Sequence, residues 1–234
     1  VILAPFALHT WLLLEPLFLA PELRFGFAIA LSAMLWLAVL IYWVENLFLK
    51  LEGMQAPVLA LAALCVPLPA MFPGLPAPPS AQSIEFRSHA VLAMLAYSLF
   101  TLAALHAMLM TVLERHLHHR PGSGPISASL ASLPPLLSME KLLFRLIGLG
   151  FLLLTLTLAS GAIYSESLFG QAMKFNHKTL FAVISWLIFA ALLAGRYLYG
   201  WRGRQALRWT LSGFAMLLLA YIGSRFVVEV ILQR

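Results

Sequence analysis

The sequence predicts an all-α fold, a polytopic transmembrane helix bundle with about seven spans. Hydrophobic residues make up 62% of the 234 residues and charged residues only 10%, whereas soluble domains carry roughly 25% charge. The mean hydropathy is +0.93. Apolar runs near the length of about 20 residues that crosses a bilayer recur along the chain, separated by short polar stretches. We therefore expect a single transmembrane domain over residues 1–234, in contact with the lipid bilayer.

Seven apolar runs are the candidate spans. Each should be helical, because an isolated strand cannot satisfy its backbone hydrogen bonds in lipid. The runs cover residues 1–14, 25–44, 56–72, 88–113, 142–164, 179–199 and 207–231. The chain opens at Val1, inside an apolar run and without an initiator Met, so we expect upstream residues that include one more helix.

The third run is short and contains Pro67 and Pro69. Proline lacks a backbone N–H and kinks or ends helices. A broken or tilted span is therefore predicted here. The proline-rich stretch 73–87 that follows should be an exposed loop, with Ser83 before the fourth span and no Glu or Gln three positions later to complete a capping box.

Basic residues gather in two loops, which sets the expected orientation. One loop contains ERHLHHRPGSGP, and the other, GRYLYGWRGRQALR, has four arginines and no acid. The positive-inside rule places both loops in the cytoplasm. Loops 15–24, 73–87 and 165–178, and the C-terminus, then face the periplasm of a bacterial inner membrane. The net charge of +6 is thus interpreted as an orientation signal, not as a sign of nucleic-acid binding.

Several function classes lack the residues they need. Cys65 is the only cysteine, so the chain has no intrachain disulfide and no CxxCH haem-attachment motif. The sequence contains no P-loop, dinucleotide fingerprint, HExxH motif or Ser/His/Asp arrangement. We therefore expect no enzyme activity.

His9 and His89 are the first candidate site residues. Ionisable residues inside spans are costly and usually face a bundle interior. His9 lies six residues before Glu15, about 9 Å along a helix axis, which places it at the depth of the outer leaflet. His89 lies at the outer start of the fourth span, so the two histidines could lie at a similar depth. The two imidazoles could ligate the iron of a haem, most simply haem b, held between helices. In the alternative interpretation, each histidine hydrogen-bonds a neighbouring helix.

Two further candidates lie on the same predicted outer side. His177 stands between Lys174 and Lys178, where cations could meet a ligand's carboxylates, although a solvated helix start is the alternative. Arg225 and Glu229 are four residues apart on one helix face and could pair with each other. Alternatively, Arg225 meets a haem propionate.

The other histidines are not expected to join this site. His106 follows His89 by 17 residues, about 25 Å along the same helix, which places it near the cytoplasmic end. His116, His118 and His119 lie in a cytoplasmic loop without carboxylate partners at a recognised spacing, so a solvated segment is the expected structure.

The chain also resembles a known family. The stretch SHAVLAMLAYSLFTLAALHA opens a span with His89 and continues with Tyr97 and Ser98; TLTLASGAIYSESLFG, HKTLFAVISWLIFAALL, GWRG and LLLAYIGSRF follow. These segments are similar to the CcsA-like cytochrome c assembly family, specifically its YpjD/HemX branch, over a core of about residues 85–231. The resemblance implies the membrane fold and makes His89 the counterpart of an outer haem-ligand histidine. For His9 it rests on the YpjD/HemX branch alone.

The chain departs from the wider family in its haem-handling loop. The family carries a tryptophan-rich motif that ends in an Asp-Pro-Lys-Glu element, whereas here FGQAMKFNHKT has no tryptophan. Asn176, His177 and Lys178 occupy the place of that element, and Ala194 stands where many members carry an intramembrane histidine. The machinery for delivering haem to apocytochrome is therefore expected to be incomplete.

The sequence favours an inner-membrane protein that binds or handles haem near its outer face, with His89 and either His9 or His177 as axial ligands. The alternative is a cofactor-free regulatory or scaffolding subunit that binds another membrane protein through its kinked third span and basic loops. A transporter is a third hypothesis, although no inverted repeat is visible.

Overall fold

Helices form nearly all of the described chain. The computed structural model describes residues 3–14, 24–48, 54–76, 81, 83–118, 135–169 and 176–231. The helices are α1 (Leu3–Leu14), α2 (Phe27–Phe48), α3 (Gln55–Cys65), α4 (Leu68–Met71), α5 (Ile84–His118), α6 (Leu136–Phe169), α7 (His177–Tyr199) and α8 (Gly203–Leu218). The last span continues through a π-helical segment (Leu219–Gly223), the short helix α9 (Ser224–Phe226) and a second π-helical segment (Val227–Ile231).

The helical membrane bundle predicted from composition is confirmed. Among the described residues, five helices are long and apolar enough to cross a membrane: Phe27–Leu47, Ile84–Arg115, Leu136–Tyr164, His177–Tyr199 and Gly203–Ile231. Ala4–Leu14 and Gln55–Met71 are shorter apolar helices. All seven predicted runs are thus helical, and five of them have full spanning length.

Several helix boundaries differ from those predicted: α5 and α6 are longer at both ends than the runs 88–113 and 142–164, and α8 starts at Gly203 instead of residue 207. The structure extends α5 to His118 and starts α6 at Leu136, so the loop expected over residues 114–141 is helical at both ends. At about 1.5 Å per residue, α5 is roughly 50 Å long and exceeds the hydrocarbon core of about 30 Å. The starts of both helices have local signals: the Ser83 hydroxyl oxygen caps α5 by accepting from the Phe86 N–H at 3.2 Å, and Pro135 precedes α6.

The broken third span is confirmed. Helix α3 ends at Cys65, and α4 starts at Leu68 with Pro67 as its N-cap residue and Pro69 in its first turn. A two-residue strand that follows, Leu75–Pro76, pairs antiparallel with Arg24–Phe25. This short pairing, which the hydrophobic pattern did not indicate, ties the start of α2 to the segment after α4.

A pair of phenylalanines lies at the centre of the bundle. Phe100 of α5 and Phe189 of α7 are fully buried, and their ring centroids are 3.9 Å apart in a stacked arrangement. Glycines on the other two long helices make room for the rings. A Cβ atom added at Gly150 would lie 3.1 Å from Phe100, and one added at Gly213 would lie 2.8 Å from Phe189. Four helices therefore meet at one aromatic layer.

Polar side chains cross-link the helices through hydrogen bonds. Several hydroxyl groups donate to a carbonyl of a neighbouring helix, which satisfies them without water. The bonds are Ser98 to the Met34 carbonyl (2.9 Å), Tyr97 to the Leu217 carbonyl (2.9 Å) and Ser185 to the Gly213 carbonyl (2.8 Å). These bonds fix the depth of α2, α7 and the last span.

The two ends of the bundle differ in chemistry. The basic end, where α5 and α7 finish and α6 and α8 begin, carries the stretch GRYLYGWRGRQALR, which has no acid of its own. The structure places most of this predicted loop in α7 and α8, and only residues 200–202 connect them. Neighbouring helices supply the acids: Glu140 of α6 lies 2.6 Å from Arg196 and 3.6 Å from Arg202, and Glu114 of α5 lies 3.0 Å from Arg204. The opposite end, where α1 and α6 finish and α2, α5 and α7 begin, is called the histidine end.

We expect Gly213→Ala to destabilise the protein. The added methyl group meets the buried Phe189 ring at 2.8 Å, and overpacking of this kind costs about 1–3 kcal/mol. Gly148→Ala is the matched control, because nothing lies within 4 Å of a Cβ atom there. Thermal unfolding of the two variants in detergent measures the difference. An equal midpoint for both would contradict the proposed packing of the aromatic layer.

Candidate functional site

His89 lies in the second turn of α5, on the side that faces α6. Its Nδ1 atom is 2.9 Å from the Ser160 hydroxyl oxygen, and that hydroxyl donates its own proton to the Thr157 carbonyl at 3.0 Å. With the hydroxyl proton committed to the Thr157 carbonyl, Ser160 can act as the acceptor for an Nδ1–H of a neutral His89. Nε2 then carries the lone pair, which is the arrangement that metal-binding histidines use.

Small residues on α6 make room for the His89 ring. A Cβ atom at Gly161 would lie 3.2 Å from the ring Cε1 atom, so any larger side chain would crowd the imidazole. Thr157 and Gly161 have the small-xxx-small spacing that permits close helix approach. Ser160 was not among the predicted site residues, and the only sequence signal for it is its place beside Gly161 in this small-residue stretch.

His9 has a different environment. It is 5% exposed, and its Nε2 atom is 2.8 Å from the Ser32 hydroxyl oxygen of α2. The next residue, Thr10, accepts a hydrogen bond from the Trp36 indole nitrogen at 2.7 Å, and Phe6 stacks on the Trp36 ring with centroids 5.2 Å apart. His9 thus belongs to a set of contacts that hold α1 against α2.

The described contacts do not bring His9 and His89 together. The Ser98 hydroxyl meets the Met34 carbonyl, so these two residues are at equal depth. Ser32, the partner of His9, lies two residues nearer the histidine end than Met34, whereas His89 lies nine residues nearer than Ser98. The difference of seven residues corresponds to about 10 Å along roughly parallel helices. The two rings therefore lie at different depths and against different helices.

Arg225 and Glu229 form the predicted pair, in a loose geometry. The Arg225 Nη1 atom is 3.8 Å from the Glu229 Oε1 atom, beyond hydrogen-bond distance. The Arg225 Nε and Glu229 Oε1 atoms are buried without a hydrogen-bond partner in the part of the chain that the structure describes. The two π-helical segments flank Arg225, and such segments occur frequently at functional sites.

Glu229 also fixes the start of α2. Its Oε2 atom accepts a hydrogen bond from the Phe27 N–H at 3.2 Å. A Cβ atom at Gly26 would lie 2.6 Å from this oxygen and 2.8 Å from the Gly74 Cα atom, so glycine is required at this position. Gly74 itself has a φ of 74°, which favours glycine. Gly26 and Gly74 are supporting residues of this end that the sequence pattern did not indicate.

His177 is exposed in the first turn of α7, in agreement with a solvated helix start. The Asn176 side chain caps the helix by accepting from the Thr179 N–H at 3.0 Å. The adjacent Lys178 is partly buried and interacts electrostatically with Arg225 and Glu229. Lys178 therefore joins the charged group at the histidine end, whereas Lys174 lies outside the described residues.

His106 lies far from this group, at the basic end. It is fully buried, and its Nε2 atom is 2.9 Å from the Met139 carbonyl oxygen. Helix α5 includes positions 116 and 118, but the side chains of His116 and His118, and all of His119, lie outside the described residues. Among residues that the structure does describe, no group of three or more His, Cys, Asp or Glu side chains could hold a metal ion.

One apolar cavity lies between α2, α3, α5 and α8, away from the histidines. It has a volume of about 170 Å³ and is lined by Met34, Cys65, Thr101, Met108 and Phe214, among others. Ligand pockets for drug-sized molecules measure roughly 300–1,000 Å³, so this cavity is too small for a porphyrin.

Comparison with known proteins identifies the family. The family model described as cytochrome C assembly protein matches residues 3–232. The chain belongs to this family. The predicted resemblance is thereby confirmed, and the match extends beyond the expected core of about residues 85–231. The chain is a multi-pass membrane protein related to cytochrome c biogenesis.

The curated relatives match part of the chain. The chain is 34% identical over 143 residues to the inner membrane protein YpjD of Escherichia coli K12, which covers 61% of this chain and 52% of that protein. It is 35% identical over 103 residues to the cytochrome c biogenesis protein CcsA of Picosynechococcus, covering 44% of this chain and 29% of that protein. The chain thus spans about half the length of YpjD. No solved structure matches it.

The two histidine–serine contacts should respond differently to loss of the hydroxyl. Ser32→Ala leaves the buried His9 Nε2 atom without a partner, which costs about 1–3 kcal/mol. Ser160→Ala should cost less, because His89 is only partly buried and water can replace the serine. Thermal unfolding of both variants in detergent tests this order, and a larger loss for Ser160→Ala would contradict it.

Proposed function

We propose that this chain binds haem at the histidine end, with His89 as an axial ligand. It would act in cytochrome assembly or haem homeostasis without catalysing the formation of a covalent bond. The observation that carries this proposal is the Nδ1 contact of His89 with Ser160 at 2.9 Å. It orients the ring and leaves Nε2 for iron, in the manner of second-shell partners at metal sites. Family membership supports the same assignment.

The residues of this end fit a haem held without covalent attachment. A neutral imidazole supplies the iron ligand. Arg225 has a buried Nε atom without a partner, and Lys178 adds a second cation nearby. These two charges suit the propionates of haem b, since charge-assisted hydrogen bonds to carboxylates are the strong ones. When bound, the haem would supply an iron centre, and the protein would orient it and meet its propionates.

Two histidines are available as the second axial ligand. His177 is exposed in the first turn of α7, at the same end of the bundle. His9 is buried and uses Nε2 to contact Ser32, so it could ligate iron only through Nδ1 or after giving up this bond. The geometry therefore favours His177 over His9.

The proposed orientation follows the charge difference between the two ends. The basic end carries Arg196, Arg202, Arg204 and Arg208 and should face the cytoplasm by the positive-inside rule. The histidine end and the C-terminus would then face the periplasm. The name of YpjD, an inner membrane protein, supports placement in a bacterial inner membrane.

A cofactor-free role in binding another membrane protein is the second hypothesis. The contacts of His9 favour it, because that histidine already has a hydrogen-bond partner and helps to hold α1 against α2. The absence of tryptophan from FGQAMKFNHKT points the same way. In this hypothesis both histidines would be structural, and the protein would act as a regulatory or scaffolding subunit.

We expect His89→Ala to abolish haem binding. Protein purified in detergent from haem-replete cells should show a Soret band when oxidised and a sharp α band when reduced, and both should be absent from the variant. Added imidazole should restore the Soret band, because it can occupy the space that the ring has left. His9→Ala and His177→Ala, measured in parallel, identify the second ligand by the change in the α band.

His106→Gln is the control for this experiment, since His106 lies at the basic end. It should keep the Soret band wherever the variant remains folded, as judged by size-exclusion chromatography. A haem-free spectrum of the unmodified protein from haem-replete cells would refute haem binding and favour the cofactor-free role.

Arg225→Gln should weaken haem binding roughly 10- to 100-fold, the range expected for losing a hydrogen bond to a charged group. Titration with haem, followed at the Soret band, measures this loss. The dimethyl ester of haem lacks the propionate charge and should bind both proteins equally. Arg87→Gln, an exposed position on α5, is the charge-matched control. An equal loss for the ester would show that Arg225 does not meet a propionate.

A further inference from the structure

The basic end carries an exposed aromatic and basic surface. The last turn of α7 ends in three strongly exposed side chains, Tyr197 (89%), Leu198 (65%) and Tyr199 (76%). They stand at the end of a membrane-spanning helix. Tyrosines at this position are typical of the belt where a span enters the headgroup layer.

The arginines that follow differ in their pairing. Arg196 is largely covered: it contacts Glu140 at 2.6 Å and lies over the Phe144 ring at 4.6 Å. Arg202 is 63% exposed, and its Nε atom lies 3.6 Å from the same carboxylate, so one Glu140 is shared by two arginines. Arg208 is exposed and has no ion pair with any residue that the structure describes.

Charge at this end is in excess. Arg204 is four residues before Arg208 on the same face of α8. Its side chain contacts Glu114 but remains 61% exposed. In the described residues of the basic end, seven basic side chains stand against three acidic ones. The basic residues are Arg115, Lys141, Arg145, Arg196, Arg202, Arg204 and Arg208, and the acidic ones are Glu45, Glu114 and Glu140. Internal pairing therefore leaves a positive surface.

We propose that Arg202 and Arg208 bind the headgroups of anionic phospholipids at the basic end, where Tyr197 and Tyr199 are also exposed. Charge complementarity supports this assignment. The two tyrosines place this surface in the headgroup layer, where the phosphates of anionic lipids are the abundant negative charges. An exposed guanidinium matches a phosphate through paired hydrogen bonds. This surface is separate from the proposed haem site and does not depend on it.

The test compares lipid binding to the whole chain in detergent. Native mass spectrometry would measure how many phosphatidylglycerol molecules remain bound in competition with phosphatidylcholine. The variant Arg202→Gln/Arg208→Gln should bind phosphatidylglycerol roughly 10- to 30-fold more weakly, on the basis of the contribution of each basic residue near an anionic surface. Phosphatidylcholine binding should not change.

The matched control removes two charges at the other end. Arg24 and Arg87 are exposed near the histidine end, and Arg24→Gln/Arg87→Gln should keep full phosphatidylglycerol binding. Inorganic phosphate alone should not raise the unfolding midpoint, whereas phosphatidylglycerol should. Unchanged phosphatidylglycerol binding in the first variant, an equal loss in the control, or full stabilisation by phosphate alone would each overturn the proposal.

Discussion

The structure depends on the absence of water from the hydrocarbon core. A polar group that is buried there without a partner costs free energy, so hydroxyl groups inside the bundle bond to neighbouring helices. Ser98, Tyr97 and Ser185 each donate to a carbonyl of another helix, and these bonds set the relative depth of the spans. The aromatic layer of Phe100 and Phe189 then fills the centre.

The same constraint gives the two candidate histidines different hydrogen-bonding environments. His9 is buried and completes its hydrogen bonding within the protein, so it stabilises the contact between α1 and α2. His89 is only partly buried, and its Nδ1 atom contacts Ser160. A histidine that ligates a metal through one ring nitrogen usually hydrogen-bonds a nearby group through the other. One histidine therefore has the features of a structural residue and the other those of a ligand, although both lie in apolar helices.

The two ends of the bundle handle charge differently. At the basic end, Glu140 pairs closely with Arg196 of α7, and Glu114 pairs with Arg204 of α8. At the histidine end, Arg225 and Glu229 are 3.8 Å apart, and both keep a buried atom without a partner. Such unsatisfied groups are rare in folded proteins and call for an explanation. A third such atom among the described residues, His106 Nδ1, lies at the basic end. Of the three, only Arg225 Nε belongs to a cation, which a bound carboxylate would satisfy.

The sequence by itself determined the helical membrane fold, the break at Pro67, the two chemically different ends and the place of His89 near the start of its span. These features follow from composition, hydropathy and spacing, which act locally along the chain. Only the tertiary structure decided the partners: Ser32 for His9, Ser160 for His89, and Glu140 for Arg196. Each of these contacts joins residues far apart in the chain, and helix rotation and depth are set by packing between helices, which no local pattern encodes.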